Sequence, residues 1–130
     1  MAGFPNLLIL SGPNTGTGST SQVYMIESQI RYALRALDYM RGQSFATLEV
    51  RESAQDAYNR ELDANMARTV WLRGGCNSWY LDDQGRNGTL YPGPSSSFRR
   101  SLNELRPQEY RFEAPRAVPQ RAGELVGAGA

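Results

Sequence analysis

One hundred and thirty residues make one ordinary domain and exclude two. With 40% hydrophobic and 21% charged residues the composition is that of a globular chain, and no apolar run approaches the ~20 residues that a membrane-spanning helix needs. Fourteen basic residues, all of them arginine, against thirteen acidic ones leave a net charge of +1, too weak a field to recruit nucleic acid or an anionic membrane. With neither lysine nor histidine, Schiff-base and histidine-base chemistry are excluded as well.

Taken in chain order, the start MAGFPN lacks the basic and then apolar pattern of a secretory leader. Leu7-Leu8-Ile9-Leu10 follows, a short apolar run between Pro5-Asn6 and Ser11-Gly12-Pro13, and it predicts a strand covered on both faces in a parallel sheet whose other strands precede this chain. Residues 11–21 are Gly, Pro, Asn, Thr and Ser only. Val23, Ile26, Ile30, Ala33, Leu37 and Met40 then recur at spacings of three and four, predicting an amphipathic helix over about 20–41 that buries Val23, Ile26, Ile30, Ala33 and Leu37. Ser19 with Gln22 matches a capping box, Glu27 and Arg31 a favourable surface pair, and Arg41-Gly42 a stop.

Residues 45–50 read as a strand, and Ser53 with Asp56 opens a second helix carrying Tyr58, Leu62 and Met66 to an end near Ala67. Residues 69–72 and 78–81, rich in β-branched and aromatic side chains, predict two strands joined through Arg73-Gly74-Gly75-Cys76-Asn77, a hairpin. Residues 82–88 form a polar turn in which Asn87-Gly88 is a turn signal rather than a glycosylation acceptor. Tyr91-Pro92-Gly93-Pro94 breaks regular structure, residues 98–105 predict a short helix ahead of Pro107, and from Ala114 onward the chain is rich in Ala, Gly and Pro and reads as a disordered tail.

One segment carries the outline of a binding site. A strand, a glycine-rich loop and a long helix over 7–41 form a cradle in which the helix's free N–H groups and positive dipole end favour an anion or the polar edge of a cofactor. Gly16-Thr17-Gly18-Ser19-Thr20-Ser21 imitates a dinucleotide fingerprint but has Ser21 in place of the third glycine, and a phosphate-binding P-loop is excluded by the lack of lysine. A bare strand-to-helix loop needs glycines whether or not it meets a ligand. Glu27 reads as the surface partner of Arg31, Cys76 as a small turn residue without a base beside it, and Trp71, Trp79 and Tyr80 as packing aromatics. No catalytic acid or base and no metal site is singled out. A lone cysteine and the absence of a leader lead to the expectation of a cytoplasmic, reducing location.

Phe4-Pro5-Asn6-Leu7, Gly12-Pro13-Asn14-Thr15, Met25-Ile26-Glu27-Ser28-Gln29, Cys76-Asn77-Ser78-Trp79-Tyr80 and Tyr91-Pro92-Gly93, in this order, resemble the C-terminal region of flavin-dependent Baeyer–Villiger-type monooxygenases, closest to the branch containing 4-hydroxyacetophenone monooxygenase. The resemblance spans residues 3–112. It implies an α/β fragment, with a late strand and long helix of an FAD-binding domain over 3–50, then a C-terminal extension over 51–112 with a short helix and a β-hairpin, and an irregular tail over 113–130. Asn14, Thr15, Gly18, Thr20, Ser21 and Gln22 are the implied cofactor-binding residues, largely through backbone N–H groups, with the helix start beside the flavin's pyrimidine edge.

The family's activity is oxygen insertion into carbonyl compounds or oxidation of heteroatoms, using FAD and NADPH, with the cofactor carrying the chemistry. The family's fingerprint, its histidine-containing signature and its NADPH-binding domain lie outside this sequence, so the implied partner is the missing N-terminal flavin- and NADPH-binding portion, and the chain alone is expected to be inactive. Gly16, Thr17 and Ser19 depart from relatives that read asparagine, leucine and histidine there. A free-standing nucleotide- or anion-binding module, or the inactive product of a truncated reading frame, are the alternative readings.

Overall fold

The computed structural model describes residues 1–18, 20–75 and 78–116. It is a mixed α and β arrangement of four α-helices, one short 3-10 turn and a two-stranded sheet among those residues. Helix α1 runs Gln22–Gly42, strand β1 Thr47–Val50, α2 Glu52–Met66, α3 Val70–Arg73 and α4 Ser95–Ser101; a 3-10 turn at Pro107–Glu109 leads into strand β2, Tyr110–Glu113. The long helix, the first strand and the second helix thus lie close to where the hydrophobic periodicity puts them.

α1 has no proline and only its terminal glycine, so nothing interrupts its 21 residues. The turn that ends it lies two residues beyond the predicted stop. Ser44 adopts the left-handed conformation with φ 56°, and the Phe45 N–H donates to the Met40 carbonyl at 2.9 Å. The reversal drops Phe45 onto the helix and launches β1, which pairs antiparallel with β2 in the register Leu48 opposite Phe112 and Val50 opposite Tyr110. Ala36, Met40 and Leu48 are buried at the centre of the resulting cluster, and Phe45, Leu105, Tyr110 and Phe112 close around them. Phe45 stacks on Phe112 at 5.0 Å between ring centroids, and Tyr39 packs against Phe112 at 5.2 Å. On the neighbouring side the Tyr32 and Tyr110 hydroxyls share a 2.5 Å hydrogen bond, and burial pushes both above the ordinary tyrosine value, Tyr32 the further.

α4 packs against α1: Phe98 is buried, the Arg99 guanidinium lies 4.8 Å over the Tyr24 ring, and Arg35 donates to the Leu102 carbonyl at 3.0 Å. The chain's first residues are tied to the body by polar bonds. Asn6, at φ 61°, uses its backbone and side chain as a strand would: its N–H donates to the Leu48 carbonyl, its Oδ1 accepts from the Leu48 N–H, and its Nδ2 donates to the Ala46 carbonyl.

Several expectations are corrected. Residues 7–10 form no strand, because a strand exists only with a ladder partner and none of the described segments pairs with them. The predicted hairpin over 69–72 and 78–81 is absent: Val70–Arg73 is a single helical turn started by Thr69, residues 78–81 hold a turn, and the sheet is instead made by β1 with β2. The helix cap is Ser21, with no side-chain capping bond, and Ser19 and Cys76 lie outside the described residues. The stripe expected to be buried is largely open: Val23, Ile30 and Leu37 are 62, 42 and 54% exposed, whereas Met25, Ser28, Ala36 and Met40 face inward. Glu27 and Arg31 do pair at the surface, at 3.8 Å. The short helix near Phe98 forms, over Ser95–Ser101 rather than 98–105. Most of the tail expected over 113–130 is outside the described residues.

Candidate functional site: the loop at the start of the long helix

Residues 12–18 contain almost no apolar side chain, so hydrogen bonds shape them. The Thr15 hydroxyl donates to the Gly12 carbonyl at 2.6 Å, closing a tight turn. Asn14 then adopts φ 54°, a conformation that asparagine tolerates better than most residues. Its N–H donates to the Gly88 carbonyl at 2.9 Å, and its Nδ2 donates to the carbonyls of Asn87 at 2.7 Å and Leu90 at 3.1 Å. Two residues on, the Gly16 N–H donates to the Thr89 carbonyl and the Tyr91 N–H donates back to the Gly16 carbonyl, each at 2.9 Å, forming an isolated parallel bridge between Gly16 and Leu90. A Cβ on Gly16 would stand 2.9 Å from the Thr89 carbonyl oxygen, so this approach requires glycine.

The clamping segment is itself ordered from within. Asn87 is buried, and its Oδ1 accepts from the N–H groups of Thr89 and Leu90 at 3.1 and 2.9 Å, while its Nδ2 has no acceptor among the described residues. Upstream, Asp82 accepts from the N–H groups of Gln84 and Arg86 and pairs with the Arg86 side chain at 3.1 Å. Those bonds, led by the Arg86 backbone N–H, hold the exposed Asp82 carboxyl below its usual range.

Beyond Gly16 the loop opens beside a cleft of about 270 Å³, with Gly16, Thr17, Gly18 and Thr20 on one wall and Val70, Trp71 and Tyr91 among the residues opposite. Trp71 packs edge-on against Tyr80 at 5.3 Å and lies so near Gly18 that a Cβ there would meet its Cζ2 at 2.8 Å. The Thr17 hydroxyl donates to the Thr20 carbonyl at 2.5 Å, and Ser21 begins α1. No side chain caps the helix start and its first turn holds no acidic residue, so the positive end of the helix is uncompensated beside this loop, where the Tyr24 N–H donates to the Ser21 carbonyl at 3.2 Å.

The six sequence-derived site residues therefore share one junction but divide into two sets. Asn14, Thr15 and Gln22 are used internally: Asn14 holds 87–90, Thr15 is buried, and Gln22 Nε2 donates to the Thr15 carbonyl at 3.3 Å. Gly18, Thr20 and Ser21 are exposed and offer backbone N–H groups or hydroxyls outward. Such donors fit the hydrogen-bond-accepting edge of a flavin ring, and they offer no charged group for a pyrophosphate. Sequence reasoning missed Trp71 and the 87–91 clamp as parts of this junction, although Tyr91-Pro92-Gly93 already stood out as a motif.

No model of a known protein family matches the chain. Curated relatives do. A Baeyer-Villiger monooxygenase of Pseudomonas aeruginosa is 54% identical over 99 residues, covering 75% of this chain and 19% of the relative. A Baeyer-Villiger monooxygenase of Streptomyces coelicolor is 43% identical over 128 residues, covering 95% of this chain and 24% of the relative. A more distant relative, 27% identical over 95% of this chain, is an FAD-binding monooxygenase of Aspergillus niger. In fold, the chain superposes on part of a steroid monooxygenase solved in its oxidized form with NADP, with a TM-score of 0.71 at 22% identity, over 88% of this chain and 22% of that one. The chain spans about a fifth to a quarter of the length of these relatives. Identity this high across most of its residues, together with the shared fold, identifies the chain as a fragment-length member of the Baeyer–Villiger-type flavin monooxygenases.

Proposed function

We propose that this chain forms part of an FAD- and NADPH-dependent monooxygenase of the Baeyer–Villiger type, acting on small carbonyl compounds or heteroatoms, and that it presents the loop ending at Gly18 and the start of α1 to the flavin. The observation that carries this reading is the uncapped start of a 21-residue helix behind a glycine loop clamped from 73 residues away. A bound flavin, reduced by NADPH, would supply the oxygen activation. The chain's own share is to bind and orient: the N–H groups at the helix start and the Thr20 and Ser21 hydroxyls donate to the ring's polar edge, and the helix dipole favours negative charge developing there. Trp71 and Tyr91 wall the cleft beside that edge and limit water.

Helix-end contacts of this kind are worth about 0.3–2 kcal/mol, against the ~8 kcal/mol that micromolar binding needs, so the dinucleotide's remaining contacts belong to other polypeptide. The chain by itself is accordingly expected to bind no FAD at micromolar concentration and to leave NADPH unoxidised. Flavin fluorescence titration of the purified chain tests this, and saturable micromolar binding would overturn the reading in favour of a free-standing module. In an enzyme reconstituted with the complementary part of a relative, Thr20→Glu sets a carboxylate against the same N–H groups. It is expected to weaken FAD retention by about tenfold, since the helix-end interaction it opposes is of that size. Unchanged retention would remove the helix start from the flavin site.

A further inference from the structure

Asn87 serves the clamp twice. Its backbone carbonyl accepts from Asn14 Nδ2, and its side-chain Oδ1 accepts from the Thr89 and Leu90 N–H groups, which also fixes which end of the carboxamide is oxygen. The other end is idle: the residue is only 6% exposed, yet its Nδ2 meets no acceptor among the described residues.

The next residue completes the arrangement. Of the chain's seven asparagines only Asn87 precedes a glycine. Gly88 is exposed, a Cβ built on it would meet nothing within 4 Å, and its N–H donates to no acceptor among the described residues. Because the Oδ1 bonds reach forward to residues 89 and 90, the carboxamide folds over the intervening Gly88 peptide and brings Asn87 Cγ back toward the Gly88 nitrogen. These are the parts of an intramolecular acyl transfer: an unhindered nitrogen as nucleophile, a carbonyl polarised by two N–H donors on its oxygen, and a leaving nitrogen that nothing retains.

We propose that Asn87-Gly88 is a self-modification site, at which the folded chain converts Asn87 to aspartate and isoaspartate and so opens its own clamp on the loop at 14–16. Hydroxide from solvent removes the Gly88 N–H proton, and the nitrogen attacks Asn87 Cγ. The oxygen of the tetrahedral intermediate stays on the Thr89 and Leu90 N–H groups, the bond from Cγ to Nδ2 breaks, and ammonia leaves with a proton taken from water. Water then opens the cyclic imide at either carbonyl, with no electron transferred and no co-reactant besides water.

Isoaspartate runs the main chain through the former side chain. It adds one carbon between residues 87 and 88, takes the Asn87 carbonyl that Asn14 holds out of the main chain as a carboxylate, and displaces the carbonyls of Gly88, Thr89 and Leu90 that Asn14 and Gly16 use. That the freed loop is the one offered to a flavin rests on the family reading above; the modification itself does not.

The test incubates the purified chain in mildly alkaline buffer, folded and, in parallel, unfolded in urea, and follows the peptide carrying 87–88 by mass spectrometry and isoaspartate by enzymatic methylation. The folded chain is expected to convert Asn87 at least as fast as the unfolded one, faster as pH rises, and ahead of every other asparagine. Gly88→Ala, whose Cβ has open space, should keep the parent's circular dichroism and slow conversion several-fold, because the added methyl crowds the attacking nitrogen. The isoaspartate fraction, separated by its extra negative charge, should lose hydrogen-exchange protection at the Gly16 and Tyr91 amides while Leu48 keeps its own.

A folded chain that converts more slowly than the unfolded one overturns the proposal. So does Gly88→Ala converting as fast as the parent, or an isoaspartate fraction in which both amides stay protected. In the reconstituted enzyme, isoaspartate-bearing chain that retains FAD as firmly as fresh chain upholds the modification and removes the loop from the flavin site, whereas a chain that never converts but retains FAD normally removes the modification and leaves the flavin reading standing.

Discussion

The two ends of α1 are held by different physics. At its C-terminal end, Met40 and Leu48 are buried under Phe45, Tyr110 and Phe112, and the contacts are apolar and dense. At its N-terminal end the preceding loop has nothing to bury, and five hydrogen bonds between Asn14 or Gly16 and residues 87–91 fix it instead. Apolar packing is non-directional and tolerates small shifts, whereas paired amides set a backbone's position to a few tenths of an ångström. A stretch meant to present N–H groups at fixed points gains more from the second kind of restraint.

The comparison breaks most visibly at the apolar end. Leu48→Ala empties the centre of the cluster and is expected to lower the stability of the whole chain by about 2–5 kcal/mol, read as a shifted denaturation midpoint. A change under about 1 kcal/mol would mean that the cluster collapses to fill the space. At the polar end, Asn14→Ala deletes both side-chain donors at a left-handed position. It should cost about 1–3 kcal/mol and speed hydrogen exchange at the Gly16 and Tyr91 amides, leaving that of Leu48 unchanged. If Leu48 exchange rises in step, the two ends are one cooperative unit and the contrast fails.

The smallest effect sharpens the contrast through pH. Asp82 has its carboxyl held low by the Arg86 backbone N–H and its neighbours, so the folded value lies below the unfolded one. Its contribution is therefore fully present above the unfolded value of ~3.9 and is lost as pH falls through the lower folded value. The Gln84 and Arg86 amide resonances should move with a midpoint below the ordinary aspartate range. A midpoint at or above the ordinary value would show that the turn is not formed in solution.

Much of this was legible in the sequence where a helix's own periodicity is strong, as in α1 and α2. What periodicity cannot say is which apolar face a chain covers with its own residues, because Val23, Ile30 and Leu37 satisfy the pattern as well as Met25, Ala36 and Met40 do. The hairpin expectation failed because Val70, Trp71 and Leu72 suit a strand by composition, while Thr69 ahead of them starts a helical turn. β2 was missed because four residues, Tyr110–Glu113, become a strand only through pairing with a segment sixty or more positions away. At the site, the motif order singled out this loop. It could not assign Asn14 to holding the protein together rather than a ligand, since a donor amide serves both and only the position of the Asn87 and Leu90 carbonyls decides.

The parallel bridge between Gly16 and Leu90 also sets where this chain can grow. Because both sides are fixed in register, one extra residue between Asn87 and Leu90 would shift the acceptors that Asn14 and Gly16 use out of step with one another. One inserted at Gly85, which has φ 72° and open space around it, would break only the local turn that Asp82 closes and leave the 87–91 clamp in place. Length variation among related sequences should therefore collect in the tip at 83–86 and stop abruptly at Asn87.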